Sequence, residues 1–129
     1  MAQNKKILIV DDDPDFIAGL KMILDNAGYS VKLADNVKDG MQSLAEDLPD
    51  LIILDVMMEN FDDGFNMCAD IKHNEHFKHI PVIILTAVTE VTGLKFDPET
   101  DGEYLEADEY MEKPIIPEVF LDKVAALIK

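Results

Sequence analysis

Five side chains in this 129-residue chain have the types and the placement to act on one group: Asp11, Asp12, Asp55, Thr86 and Lys113. Each stands just past a strand-like run, and the first four follow apolar ones. Asp11 and Asp12 follow Ile7-Leu8-Ile9-Val10, Asp55 follows Leu51-Ile52-Ile53-Leu54, and Thr86 follows Val82-Ile83-Ile84-Leu85. Lys113 lies just past a shorter run around Glu109 to Met111. Three carboxylates drawn together repel strongly unless a hard divalent cation lies among them. Magnesium suits an all-oxygen site that keeps several waters, and manganese is the alternative ion. A hydroxyl donor and an ammonium complete the set. That combination is what a phosphoryl group in transfer requires, because the charge on its three peripheral oxygens must be neutralised while it passes in line. The constellation is suited to holding phosphate on a carboxylate.

For these residues to meet, the runs must be strands that end on one edge. Continuous aliphatic and β-branched runs of four to six residues are the mark of strands buried on both faces. Between them lie helix-length segments. Asp13-Pro14 reads as an N-cap and first helical residue, with Phe16, Leu20, Ile23, Leu24 and Ala27 at helical spacing and Gly28 as the stop. Ser30 to Ala34 is a second strand, and Asp35 or Asn36 caps a helix that carries Met41, Leu44 and Ala45. A helix opening at Asp63 or Gly64 turns Phe65, Cys68 and Ile71 inward, and the last helix carries Val119, Phe120, Val124 and Leu127. Strands separated by such helices imply right-handed crossovers and a five-stranded parallel α/β sheet covered on both faces. Sites in these sheets lie outside the carboxyl ends of the strands, where the five residues stand.

Four segments together resemble the response-regulator receiver domains of two-component signalling: 9–14 (IVDDDP), 49–58 (PDLIILDVMM), 81–87 (PVIILTA) and 107–114 (ADEYMEKP). The resemblance covers the whole of 1–129, with a core of about 5–128. It implies a flavodoxin-like, doubly wound fold of strand order 2-1-3-4-5 with helices on both faces. It also implies roles. Asp55 becomes the phospho-acceptor; Asp12, with Asp11 directly or through water, and the backbone carbonyl of Met57 join Asp55 as magnesium ligands. Thr86 then bonds a phosphoryl oxygen, Ala87 leaves room beside it, and Lys113 pairs with another oxygen. Thr86 and Tyr110 form the switch. The expected partners are a sensor histidine kinase or a histidine phosphotransfer protein as donor and a protein effector downstream, with no turnover of a separate substrate. Two other readings stay open, a phosphorelay intermediate and a degenerate receiver that serves only as an interaction module. A flavodoxin that binds FMN would need a phosphate-cradling Ser/Thr/Gly loop after the first strand, which is missing here.

The chain also departs from the family pattern. Glu59 stands where a proline is usual, and Gly64 arrives one residue late, so the loop beside the acceptor is reshaped. The span from Thr86 to Lys113 is longer than usual and holds Gly93, Pro98 and Gly102, so no regular helix is expected there and partner recognition should be atypical. Residues 97–102 imitate the start of a calcium loop, but Asp108 falls where a bidentate glutamate is needed. His73, His76 and His79 read as polar residues near a helix end rather than metal ligands, Asp13 as a cap, and Cys68 as core.

Composition agrees with this class. With 27 acidic against 11 basic side chains, the net charge of −16 disfavours nucleic acid and anionic membranes as direct partners. One cysteine cannot form an internal disulfide, and no secretory pattern opens the chain. The expectation is a stand-alone cytoplasmic domain, monomeric or weakly dimeric.

Overall fold

The computed structural model describes residues 5–55, 63–87, 108–113 and 115–128. In chain order these form β1 (Lys6–Val10), α1 (Pro14–Asn26), β2 (Ser30–Ala34), α2 (Val37–Glu46), β3 (Leu51–Asp55), α3 (Asp63–Lys72), β4 (Val82–Ala87), β5 (Glu109–Lys113) and α4 (Pro117–Leu127). The strands make one sheet of order β2-β1-β3-β4-β5, parallel throughout. This is the flavodoxin-like order that the resemblance implies.

Alternation along the central strands divides the core in two. Leu8, Val10, Ile52, Leu54, Val82 and Ile84 face Leu44 of α2 and Met67, Cys68 and Ile71 of α3. On the other face, Ile7, Ile9, Leu51, Ile53, Ile83 and Leu85 meet Ile17, Leu20 and Leu24 of α1 and Phe120 and Val124 of α4. All five residues of β3 are buried, which explains why its sequence shows no polar alternation.

Local chemistry sets the limits of α1. The Asp13 carboxylate accepts from the backbone N–H groups of Asp15 and Phe16, and Pro14 occupies a position where no N–H is needed. At the far end Gly28 adopts φ 96, the Gly28 N–H donates to Asp25 O, and the Tyr29 N–H donates to Leu24 O. This pair of bonds is a Schellman motif, and it turns the chain directly into β2.

The helical spacing placed the buried stripes correctly but not every member of them. Ile17, rather than Phe16 or Ile23, lies in the core with Leu20 and Leu24, while Phe16 and Ile23 pack partly buried beside it. Ala27, Ala45 and Val119 are exposed. Ala27 is the C-cap, where the chain leaves the helix axis, and Ala45 and Val119 adjoin buried Leu44 and Phe120, from which one step around a helix turns a side chain by about 100°. Cys68 is fully buried as expected, and Met67 joins it. Two strands run further than their apolar stretches. β4 includes Thr86 and Ala87, and β5 extends to Lys113, because ladder pairing continues through Thr86↔Glu112 and Ala87↔Lys113.

Gly40 marks a close approach of α2 to the sheet. A Cβ built there would lie 2.9 Å from Met67 Cε and 3.0 Å from Val10 Cγ2. Val10 precedes Asp11, so strain here reaches the carboxyl edge. Gly40→Val should destabilise the fold by about 1–3 kcal/mol through overpacking. Chemical denaturation will read this as a lower midpoint at unchanged slope, and an unchanged midpoint would mean that α2 is free to shift outward.

Candidate metal site at the carboxyl edge of the sheet

The connections from β1 and β3 run to opposite sides of the sheet, so a crevice opens between the carboxyl ends of these two strands. Asp11 and Asp55 stand at its sides. Asp11 follows β1, and its N–H donates to Ala34 O at 3.0 Å, which carries the β1–β2 ladder one step beyond the strand. Its Oδ1 accepts the Asp13 N–H at 2.9 Å, a local turn that hands the chain to the α1 cap. Asp13 is thereby the cap of α1 and stands apart from the three converging carboxylates. Asp55 is the last residue of β3 and is paired in register with Leu85.

Asp11 and Asp55 are 0% and 2% exposed, whereas Asp12 is open to solvent. Ligand oxygens of the three carboxylates all lie within 4.8 Å of one another. A six-coordinate magnesium ion with bonds of about 2.0–2.1 Å places its oxygens roughly 3–4 Å apart, so small side-chain rotations would close this set onto one ion. The donor set fits as well: it is anionic, all oxygen and too small to fill the coordination sphere, so waters or a ligand would complete it. Among the described residues no other group of three or more His, Cys, Asp or Glu side chains converges in this way. His73, His76 and His79 are exposed in and after the turn that follows α3.

Backbone register brings two further residues to the same edge. Thr86 lies one residue past the partner of Asp55 on β4, and Lys113 is opposite Ala87 at the end of β5. Met57, Glu59, Val88 and the acidic stretch 97–102 fall outside the described residues, as do the side chains of Phe65, Thr86, Ala87, Tyr110 and Lys113. Strand-end reasoning overlooked Asp35 and Asp39. With Asp11, Asp12, Ile17 and Leu33 they line a cleft of about 450 Å³ beside the three carboxylates. Asp35 follows Ala34 of β2 just as Asp11 follows Val10, so the same rule would have found it. The cap of α2 is Asn36, whose Oδ1 accepts the Asp39 N–H at 2.8 Å.

Residues 7–125 match the family described as the response regulator receiver domain. A transcriptional regulatory protein, GltR, of Pseudomonas aeruginosa is 34% identical over 99% of this chain and 50% of its own length. The DNA-binding dual master transcriptional regulator RpaA of a Synechocystis species is 38% identical over 96% of this chain and 49% of its own. The chain thus spans about half the length of the curated relatives it matches. Among solved structures, a putative response regulator from Chloroflexus aurantiacus superposes with a TM-score of 0.84 at 28% identity, covering 98% of both chains. No helix among the described residues is long and apolar enough to cross a membrane.

Like-charge repulsion at this edge has a measurable consequence. Asp12→Asn should raise thermal stability in the presence of a chelator, since it removes one of three converging negative charges. A divalent cation at about 100 times its dissociation constant should stabilise the native chain by about 2.7 kcal/mol, and Asp12→Asn should lose most of that increment. Calorimetry with and without the ion measures both effects; an increment that survives the substitution would remove Asp12 from the site.

Proposed function

We propose, since this chain belongs to the response regulator receiver domain family, that Asp55 accepts a phosphoryl group from a phosphohistidine and that the charged site then biases the surface a protein partner reads. Receivers of two-component systems interact with histidine kinases and with effectors, and the donor here is a sensor kinase or a histidine phosphotransfer protein. The observation that carries the reading is the convergence of Asp11, Asp12 and Asp55 within 4.8 Å, two of them buried, at the ends of adjacent strands.

Each residue has a part that follows from its place. Asp55 is held at the end of a fully buried strand, so its oxygen needs little reorganisation to attack phosphorus. The new bond joins an Asp55 carboxylate oxygen to phosphorus, the phosphorus–nitrogen bond of the donor breaks, and the leaving imidazole nitrogen takes up a proton. Asp11, Asp12, Asp55 and the Met57 carbonyl would hold magnesium, which supplies positive charge to the phosphoryl oxygens and offsets the carboxylates' mutual repulsion. Thr86 and Lys113, on the two neighbouring strands, serve the remaining oxygens with a hydroxyl donor and an ammonium. Tyr110 shares β5 with Lys113 and follows the displacement of Thr86 toward the phosphoryl group, which makes the switch a local charge event with a surface readout.

Incubation with magnesium and a small acyl-phosphate donor, followed by intact mass, tests the chemistry. The native chain should gain one phosphoryl group and Asp55→Asn none; equal gain by both would move the acceptor elsewhere. Lifetime is a second test. Met57 and Val88 are apolar and offer no polar group to orient an attacking water, so the phosphorylated chain should persist for minutes or longer. Decay within seconds would mean that another group positions the water.

A further inference from the structure

At the end of the sheet opposite the carboxylates, two lysines hold the start of β5 from opposite faces. Lys72, the last residue of α3, donates from Nζ to Asp108 Oδ2 at 2.7 Å, to Ile80 O at 2.8 Å and to Lys78 O at 3.3 Å. The same Asp108 oxygen accepts the Val82 N–H at 2.9 Å, and the Asp108 N–H returns a bond to Val82 O at 2.9 Å. Lys123 of α4, on the other face, donates to Glu109 Oε2 at 2.8 Å. Consecutive carboxylates are thus tied to helices on opposite sides of the sheet.

The ties matter because, among the described side chains of β5, only Met111 packs into the core. β5 is an edge strand with a single neighbour, and its sequence, Glu109-Tyr110-Met111-Glu112-Lys113, carries a weak apolar pattern. Sheet register is poorly specified where hydrophobic alternation is weak, and a slip of one residue exchanges the two faces. Here such a slip would bring Glu112 or Pro114 to the position opposite Ala87 that Lys113 holds, placing an anion or an uncharged ring where a cation belongs. It would also break both ties at once. Lys72 would suffer most, since its side chain is only 12% exposed and a buried ammonium without its carboxylate is strongly disfavoured.

From this geometry we infer that Lys72 and Lys123 are positioning residues for phosphoryl acceptance: they clamp β5 in the one register that delivers Lys113 to the edge beside Asp55. The inference rests on the proposed role of Lys113. The exposed Lys123–Glu109 pair would add little stability by itself, whereas Lys72 is costly to strand, so the clamp acts by penalising wrong registers rather than by strengthening the native one.

The test uses the full chain with Lys72→Met, Lys123→Met, the double variant, Lys72→Arg and Lys113→Met. Three quantities are followed: phosphorylation by a small acyl phosphate at saturating magnesium, magnesium affinity by calorimetry, and amide hydrogen exchange of each strand. In the double variant the phosphorylation rate should fall at least tenfold while magnesium affinity stays within about twofold, because the proposed metal ligands stand at or just after the ends of β1 and β3. Exchange should accelerate in β5 and not in β1 or β3, and Lys72→Arg should restore most of the rate. A double variant that is phosphorylated at the native rate overturns the clamp. So does a joint loss of rate, metal affinity and protection across all strands, which would mark general unfolding. If Lys113→Met reacts as fast as the native chain, the role of Lys113 fails and takes the catalytic consequence of the clamp with it; if Lys113→Met is slow but the clamp variants are not, the clamp alone fails.

Discussion

Two carboxylates buried side by side at the ends of adjacent parallel strands are the constraint around which this domain is arranged. Asp11 and Asp55 are almost wholly withdrawn from water, and Asp12 approaches within the same few ångströms. Removing charge from water is costly, and like charges add to the cost. Such a cluster persists only if a rigid support holds it and a counter-charge relieves it. The support is visible in Ile7 to Val10 of β1 and in all of β3, which four helices bury on both faces. Gly40 belongs to the same support, since the absence of a side chain lets α2 press against Val10, one residue before the carboxylates.

The sheet is specified differently at its centre and at its rim. Ile52, Ile53, Leu54, Ile83 and Ile84 are completely buried, and a one-residue shift of either central strand would exchange two well-packed core faces. On β5 only Met111 is buried among the described side chains, so register there falls to hydrogen bonds and ion pairs that would be minor elsewhere. The carboxylates stand on strands fixed by packing, and the ammonium stands on a strand fixed by polar ties. Precision is therefore highest where charges must coexist and is supplied more loosely toward the edge.

What the sequence made legible follows from the range of the physics involved. Caps and stops act within a few residues, so Asp13-Pro14 and Gly28 announced the limits of α1, and the aliphatic runs announced the central strands. Strand-end aspartates are readable because the chain must leave a parallel sheet where its apolar run stops, and the same holds for Asp35 at the end of β2. Other features depend on the third dimension. Whether Ile17 or Phe16 points inward turns on a helix rotation that only packing decides, and the extension of β4 through Thr86 depends on pairing with a strand more than twenty residues away. Lys72 was invisible for the same reason. In sequence it is an unremarked cation at a helix end; its meaning comes from the carbonyls of Lys78 and Ile80 and the carboxylate of Asp108, which the fold brings around it.

Net charge ties the local cluster to the molecule as a whole. The cleft beside Asp11 and Asp12 is lined also by Asp35 and Asp39, so the site opens into a concave, acidic wall on a chain of charge −16. Fields of one sign are focused by such concavities, and they raise the local concentration of cations while lowering that of anions. A phosphate-bearing donor is an anion, so the surroundings that draw a cation toward the three carboxylates also oppose the approach of the group that Asp55 would receive. Compensation of the carboxylates and admission of a phosphoryl group are thus one electrostatic problem. Salt weakens both effects at the exposed Asp12 more than at the buried pair, because screening reaches only charges that solvent can approach. The division of the site into two buried acids and one open one lets the buried pair fix where charge gathers, while the exposed member answers to the solution outside.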